Sequence, residues 1–233
     1  MASSGGAGSV GTRAKALKDI EEGRGAGAFV PPEGSPLAQL RKAADGCRGC
    51  ELYRHATQAV FGHGPADARL VLVGEQPGDQ EDRQGQPFVG PAGALLRQAM
   101  TEAGLDPARA YLTNAVKHFK WTPAPTGKRR IHAKPSAGEV RACRPWLERE
   151  LETLRPSVVG VLGATAGQAM LGPSFKVTAM RGKAVTGTPW ARHVVATIHP
   201  SAILRVPEDE MRAEAYEAFI RDMKVMARLL ESA

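Results

Sequence analysis

Four short runs of the chain are almost continuously apolar: Leu70-Val71-Leu72-Val73, Tyr111-Leu112-Thr113, Val158-Val159-Gly160-Val161-Leu162 and Val194-Val195-Ala196-Thr197-Ile198. A strand covered on both faces shows no polar alternation, so these runs predict buried strands. Between them the apolar positions recur at helical spacing. Ala92, Leu95, Leu96, Ala99, Met100 and Ala103 predict a helix that stops at Gly104. Ser136 and Glu139 form a capping-box pattern that opens a helix through Val140, Cys143, Leu147 and Leu151. A short helix is expected over Leu37 to Ala44. A last one, from about Glu208, puts Met211, Ala215, Phe219, Met226 and Leu230 on one stripe. Strands alternating with helices predict an α/β fold: a single domain of three layers, α/β/α, around a central four-stranded parallel sheet.

The chain has 233 residues, 42% hydrophobic and 24% charged, a balance that allows one sizeable core. Residues 1–35 stand apart. Gly, Ala, Ser and Pro dominate there, and apolar residues are too scattered to pack. They are expected to form a disordered tail before a domain spanning 36–233. No run reaches the ~18 apolar residues of a membrane span. The opening MASSGGAGSV lacks the basic and apolar regions of a secretory signal. Three cysteines are too few, and odd in number, for a disulfide scaffold. The expectation is a cytoplasmic monomer with no membrane partner.

Ligands of a parallel sheet bind beyond the carboxyl ends of its strands. There the sequence places Gly74-Glu75-Gln76-Pro77-Gly78-Asp79, Asn114, Gly163-Ala164-Thr165-Ala166 and His199-Pro200-Ser201. A carboxylate, an amide, a Gly-led helix start and an imidazole would converge on one crevice. GxGxxG, GxxxxGK[ST] and GxSxG patterns are all missing, which argues against nucleotide cofactors and an α/β-hydrolase.

The net charge is +7. No acidic residue falls between Asp106 and Glu139, whereas Arg109, Lys117, Lys120, Lys128, Arg129, Arg130 and Lys134 do, interleaved with Phe119 and Trp121. Taken alone the segment also reads as a solvated basic loop. Beside a crevice, cations and aromatics suit a single-stranded polynucleotide. Cys47-x2-Cys50 and Cys143 need a fourth ligand to close a metal site, and His118 is the nearest candidate. By spacing alone a Cys3His zinc site, an iron–sulfur cluster and three unrelated thiols all remain open.

The GEQPG box with PFVGPAG downstream, the Asn-ending LTNAVKH and the HPS box together resemble the uracil-DNA glycosylase superfamily, and within it the iron–sulfur type-4 branch. Lys128 to His132 match the KRRIH insertion of its UdgX group. The resemblance covers about residues 40–230. It implies a glycosylase acting on uracil-containing, single-stranded DNA, and a 4Fe-4S cluster on Cys47, Cys50, His118 and Cys143. At His118 the type-4 branch usually has Cys, and UdgX-like proteins share the substitution.

The resemblance also implies roles. Phe88 would stack on uracil, Gln76 and Asp79 would line its pocket, and Asn114 would read its edge with one donor and one acceptor. His199 would donate to uracil O2 as the glycosidic bond breaks. Lys128, Arg129, Arg130 and Ser201 would hold DNA, and Ile203 or Leu204 would wedge beside the flipped nucleotide. In UdgX-like proteins the KRRIH histidine, here His132, attacks the sugar and becomes covalently linked, and Glu75 would take the imidazole proton. The alternatives are a conventional multiple-turnover type-4 enzyme and a non-catalytic iron–sulfur protein that binds nucleic acid.

Overall fold

The computed structural model describes residues 25–127 and 129–232. The strands are β1 (Leu70–Gly74), β2 (Ala110–Asn114), β3 (Trp121–Pro123), β4 (Arg130–His132), β5 (Val158–Leu162), β6 (Ala184–Val185) and β7 (His193–Thr197). Around them lie α1 (Leu37–Ala44), α2 (Asp79–Gln84), α3 (Pro91–Glu102), α4 (Ala137–Leu154), α5 (Ala164–Leu171), α6 (Val177–Met180), α7 (Pro200–Leu204) and α8 (Asp209–Glu231).

The main sheet runs β2-β1-β5-β7-β6. The four apolar runs form its parallel part, and every residue of β1, β2 and β5 is buried. The sheet has five strands rather than the four expected. β6 adds an antiparallel edge to β7, and its two residues are too short to carry a pattern. Alternation along β1 decides the layers. Leu70 and Leu72 join the core beneath α3 and α8 with Leu96, Met100, Phe219 and Met226. Val71 and Val73 face the opposite core, with Leu147 and Leu151 of α4 and Ala166 of α5. The capping box forms as expected: the Ser136 hydroxyl accepts from Glu139 N at 3.2 Å, and Glu139 accepts from Ser136 N at 2.6 Å.

Packed chain begins earlier than Pro36. Ala26 is buried in a third cluster with Leu40, Cys47, Cys143 and Trp146, and Phe29 and Val30 pack against it. These apolar residues are too sparse to give a period, yet they fill the gap beside the cysteines. Residues 1–24 of the expected tail lie outside the described residues.

β3 and β4 pair as a separate antiparallel hairpin, with Trp121 opposite His132. Among the described residues no helix is long and apolar enough to cross a membrane. The parallel register aligns Gly74 with Asn114 and Leu162 with Thr197, so the segments after all four strands emerge at one end of the sheet.

Candidate active site

The crevice is built around a missing side chain. A Cβ on Gly74 would meet Asn114 Oδ1 at 2.4 Å and Phe88 Cζ at 2.7 Å, so the amide and the aromatic ring come together over the end of β1. Phe88 has φ 58, in the left-handed region that disfavours side chains. Arg97 Nη1 donates to its carbonyl at 2.8 Å and helps hold that conformation. The ring is buried and stacks near His199, with centroids 6.1 Å apart and 25° between planes.

His199 caps the first turn of α7. The Ser201 backbone N–H donates to its Nδ1 at 3.2 Å, and the Ser201 hydroxyl lies 2.8 Å from the same nitrogen. A backbone amide can only donate, so Nδ1 carries no proton and Nε2 does. The imidazole therefore presents an N–H donor to the crevice. Burial, with Arg205 and His132 nearby, pushes its pKa down to about 4, and the ring stays neutral above that pH.

The β3–β4 hairpin leans over this crevice. Gln76 holds it: Oε1 accepts from Lys120 N at 3.1 Å, and Nε2 donates to Lys120 O at 3.2 Å and Ala133 O at 3.0 Å. The same amide nitrogen lies 2.9 Å from His132 Nε2. The two carbonyls account for both protons of that group, so this contact brings the imidazole to the crevice without assigning its tautomer. Glu75 Oε1 lies 3.7 Å from His132 Nε2. Burial lowers the His132 pKa and Glu75 opposes the shift, so the ring is neutral at neutral pH. Its side chain remains 49% exposed. Glu75 also accepts a hydrogen bond from the Thr165 hydroxyl through its other oxygen.

Arg130 ties the hairpin to α2. Its Nε donates to Asp79 at 2.5 Å and its Nη1 to the fully buried Asp82 at 2.6 Å. Its guanidinium lies 5.3 Å over the Phe119 ring and 5.6 Å over Trp121. Asp79, Arg130 and both aromatics are thus occupied with one another. Trp121 also donates to His55 O at 2.8 Å. The basic run is not one DNA-facing strip. Lys117 is buried against Glu150, Lys120 pairs with Glu139, and Arg109 lies before β2 at the opposite end of the sheet. Arg129 and Lys134 are exposed, and Lys128 lies outside the described residues.

Behind the crevice, Lys117 Nζ donates to Thr113 Oγ1 and the Asn114 carbonyl, both at 2.8 Å, and to Glu150 at 2.5 Å. Glu150 also accepts from Tyr111, Thr113 and Gly62 N. This network anchors the strand end that carries Asn114.

The cysteines gather on the far side of Lys117. Cys143 accepts from Lys117 N and Cys47 from Trp146 Nε1, both at 3.2 Å. Burial raises the Cys50 and Cys143 thiols, Cys143 to about 12, and the neighbouring thiols add to the rise. His118, also buried, follows Lys117 directly. Among the described residues no group of three His, Cys, Asp or Glu side chains converges closely enough for a single metal ion. Buried sulfurs sharing one apolar compartment and accepting N–H bonds fit a multi-iron cluster, whose ligands stand further apart.

At the mouth, Ile203 is 1% exposed and belongs to the core, whereas Leu204 is 43% exposed. A wedge role for Ile203 is therefore excluded, because the single turn of α7 points it inward. Ser201 is turned toward His199 and receives Arg205 Nη1 at 3.3 Å. Sequence reasoning missed two residues here. Arg205 completes the HPSAILR run next to the crevice, and Thr165 lies in the Gly-led helix start; each stood in a quoted or adjacent segment without an assigned role.

A profile of the Uracil DNA glycosylase superfamily matches residues 61–224. The chain is 36% identical over 169 residues to the Type-4 uracil-DNA glycosylase of Thermotoga maritima, covering 71% of this chain and 82% of that protein. It is 33% identical over 178 residues to the Type-4 uracil-DNA glycosylase of Sulfurisphaera tokodaii, covering 73% and 77%. For the Type-4 uracil-DNA glycosylase of Archaeoglobus fulgidus the identity is 35% over 168 residues, covering 70% and 80%.

Proposed function

Because this chain belongs to the uracil-DNA glycosylase superfamily, we propose that it excises uracil from DNA and that His132 then captures the exposed sugar. The observation that carries the second half is the Glu75 carboxylate 3.7 Å from Nε2 of a neutral His132 at the crevice.

Uracil stacks on Phe88 with its edge toward the neutral His199, and the Asn114 amide matches its N3 donor and O4 acceptor. As the C1′–N1 bond breaks, its electron pair leaves on uracil, and His199 Nε2–H donates to O2 to steady that charge. The His132 Nε2 lone pair then bonds C1′. The Glu75 carboxylate, 3.7 Å from that nitrogen, stabilises the resulting imidazolium, and the Nδ1 proton passes to water. A tethered imidazole outcompetes water because its effective concentration is high. Asp79 and Arg130 serve by bracing the hairpin that carries His132. Arg129, Lys128, Arg205 and Ser201 meet the phosphates of single-stranded DNA, and Leu204 flanks the extruded nucleotide.

Cys47, Cys50, His118 and Cys143 would hold a 4Fe-4S cluster. When bound it supplies no step of the reaction; it staples the N-terminal segment to the core. Free thiols and such a cluster suit a reducing, cytoplasmic setting.

The second reading is conventional multiple turnover, favoured by the type-4 relatives, in which Glu75 orients water against the sugar. Incubation with a uracil-containing single-stranded oligonucleotide, followed by denaturing electrophoresis, separates the two. Capture gives a heat- and SDS-resistant adduct that His132→Ser abolishes. Released uracil without adduct establishes the second reading. Neither product leaves a non-catalytic nucleic-acid binder. Mass spectrometry that finds the adduct on another residue, with His132 unmodified, would sink the capture mechanism.

A further inference from the structure

Capture needs Glu75 to face the imidazole, yet Glu75 sits on a loop and its side chain is 23% exposed. A carboxylate free to turn would spend its time in solvent. What holds it is outside the motifs that define the site. Its Oε2 accepts from the hydroxyl of Thr165, in the first turn of α5. Thr165 is buried. A hydroxyl has one proton, and the carboxylate can only accept it. The bond therefore fixes one oxygen and leaves Oε1 turned to His132.

The start of α5 is itself rigidly placed. Gly163 N donates to Thr197 O at 2.9 Å. Gly163 has φ +89, and a Cβ there would come within 3.1 Å of His199 Cβ. One turn of chain thus rests against His199 and grips Glu75.

We propose that Thr165 is a positioning residue for Glu75, and that its hydroxyl governs how the sugar divides between His132 and water. The inference rests on the capture reading above. In capture, the C1′–N1 pair leaves on uracil, the His132 Nε2 pair bonds C1′, the Glu75 carboxylate 3.7 Å from that nitrogen stabilises the imidazolium as it forms, and the Nδ1 proton passes to water. With Glu75 released from Thr165, that developing charge has no fixed partner. Attack by the imidazole is then slower, and water takes the sugar instead.

The test is Thr165→Val, nearly isosteric and lacking only the hydroxyl, beside Thr165→Ser, which keeps it. Each is incubated with uracil-containing single-stranded DNA, and the ratio of covalent adduct to free abasic product is measured. A ratio does not depend on the folded fraction, so a loss of stability alone does not move it. Thr165→Val is expected to shift the ratio about tenfold toward the abasic product, and Thr165→Ser to restore it. An unchanged ratio in Thr165→Val overturns the proposal. So does a shift that Thr165→Ser fails to reverse, because packing rather than the hydroxyl is then responsible. If the wild-type protein releases uracil and forms no adduct, the capture reading itself falls, and this proposal with it; that result is seen before either variant is compared.

Discussion

Gly74 and Asn114 lie directly opposite one another at the carboxyl ends of neighbouring parallel strands, and the absence of a side chain on the first makes room for the amide of the second. Phe88 uses the same gap. A backbone position on the central sheet thereby sets the width of the crevice.

Gly74→Ala would drive a methyl group into Asn114 Oδ1 and Phe88. Overpacking of this kind costs about 1–3 kcal/mol, and the side chains it displaces are those proposed to hold the base. The expected outcome is a fall of at least about tenfold in uracil excision with the sheet intact. Steady-state kinetics beside circular dichroism check it. Native kinetics in a folded variant would show that Asn114 and Phe88 do not define the pocket.

The Lys117–Glu150 pair is fully buried and stands behind Asn114. Removing one partner leaves an uncompensated charge, at a cost of about 3–5 kcal/mol. Lys117→Met and Glu150→Gln should each lower the denaturation midpoint sharply. The double variant should recover a large part of the loss, because no charge is then stranded. Additive losses in chemical denaturation would contradict a coupled pair.

His199 gives a signed pH dependence. Its folded pKa of about 4 lies below the ordinary 6.5. The unfolded chain therefore takes up this proton first as pH falls. The stability linked to His199 is complete above about pH 6.5 and is lost as pH drops toward 4, by roughly 3 kcal/mol in all. His199→Asn cannot titrate, and its stability should vary less across that window. Parallel profiles for the two proteins, measured by urea denaturation, would remove His199 as the source.

Freshly purified protein should be brown and contain iron, and Cys143→Ala should lose both the colour and several degrees of thermal stability. Cys143 bonds Lys117 N, so its loss should also loosen the segment leading back to Asn114. A colourless wild type carrying one zinc per chain would defeat the cluster assignment.

Sequence alone determined the parallel sheet, because strands buried on both faces must be apolar throughout and the four runs are. It also determined which residues stand at the strand ends, since in a parallel sheet those ends share one edge of the fold. Charge was the feature it could not place. Lys117, Lys120 and Arg130 belong to one cationic run, yet folding pairs them with Glu150, Glu139, Asp79 and Asp82 from other parts of the chain. A run of like charge along the chain carries no information about partners brought in by tertiary contact. The start of the packed chain, the antiparallel edge strand, the inward turn of Ile203 and the grip of Thr165 on Glu75 were decided in the same way. Each depends on which surfaces meet, and that is fixed only when helices from distant parts of the chain close over the two faces of the sheet.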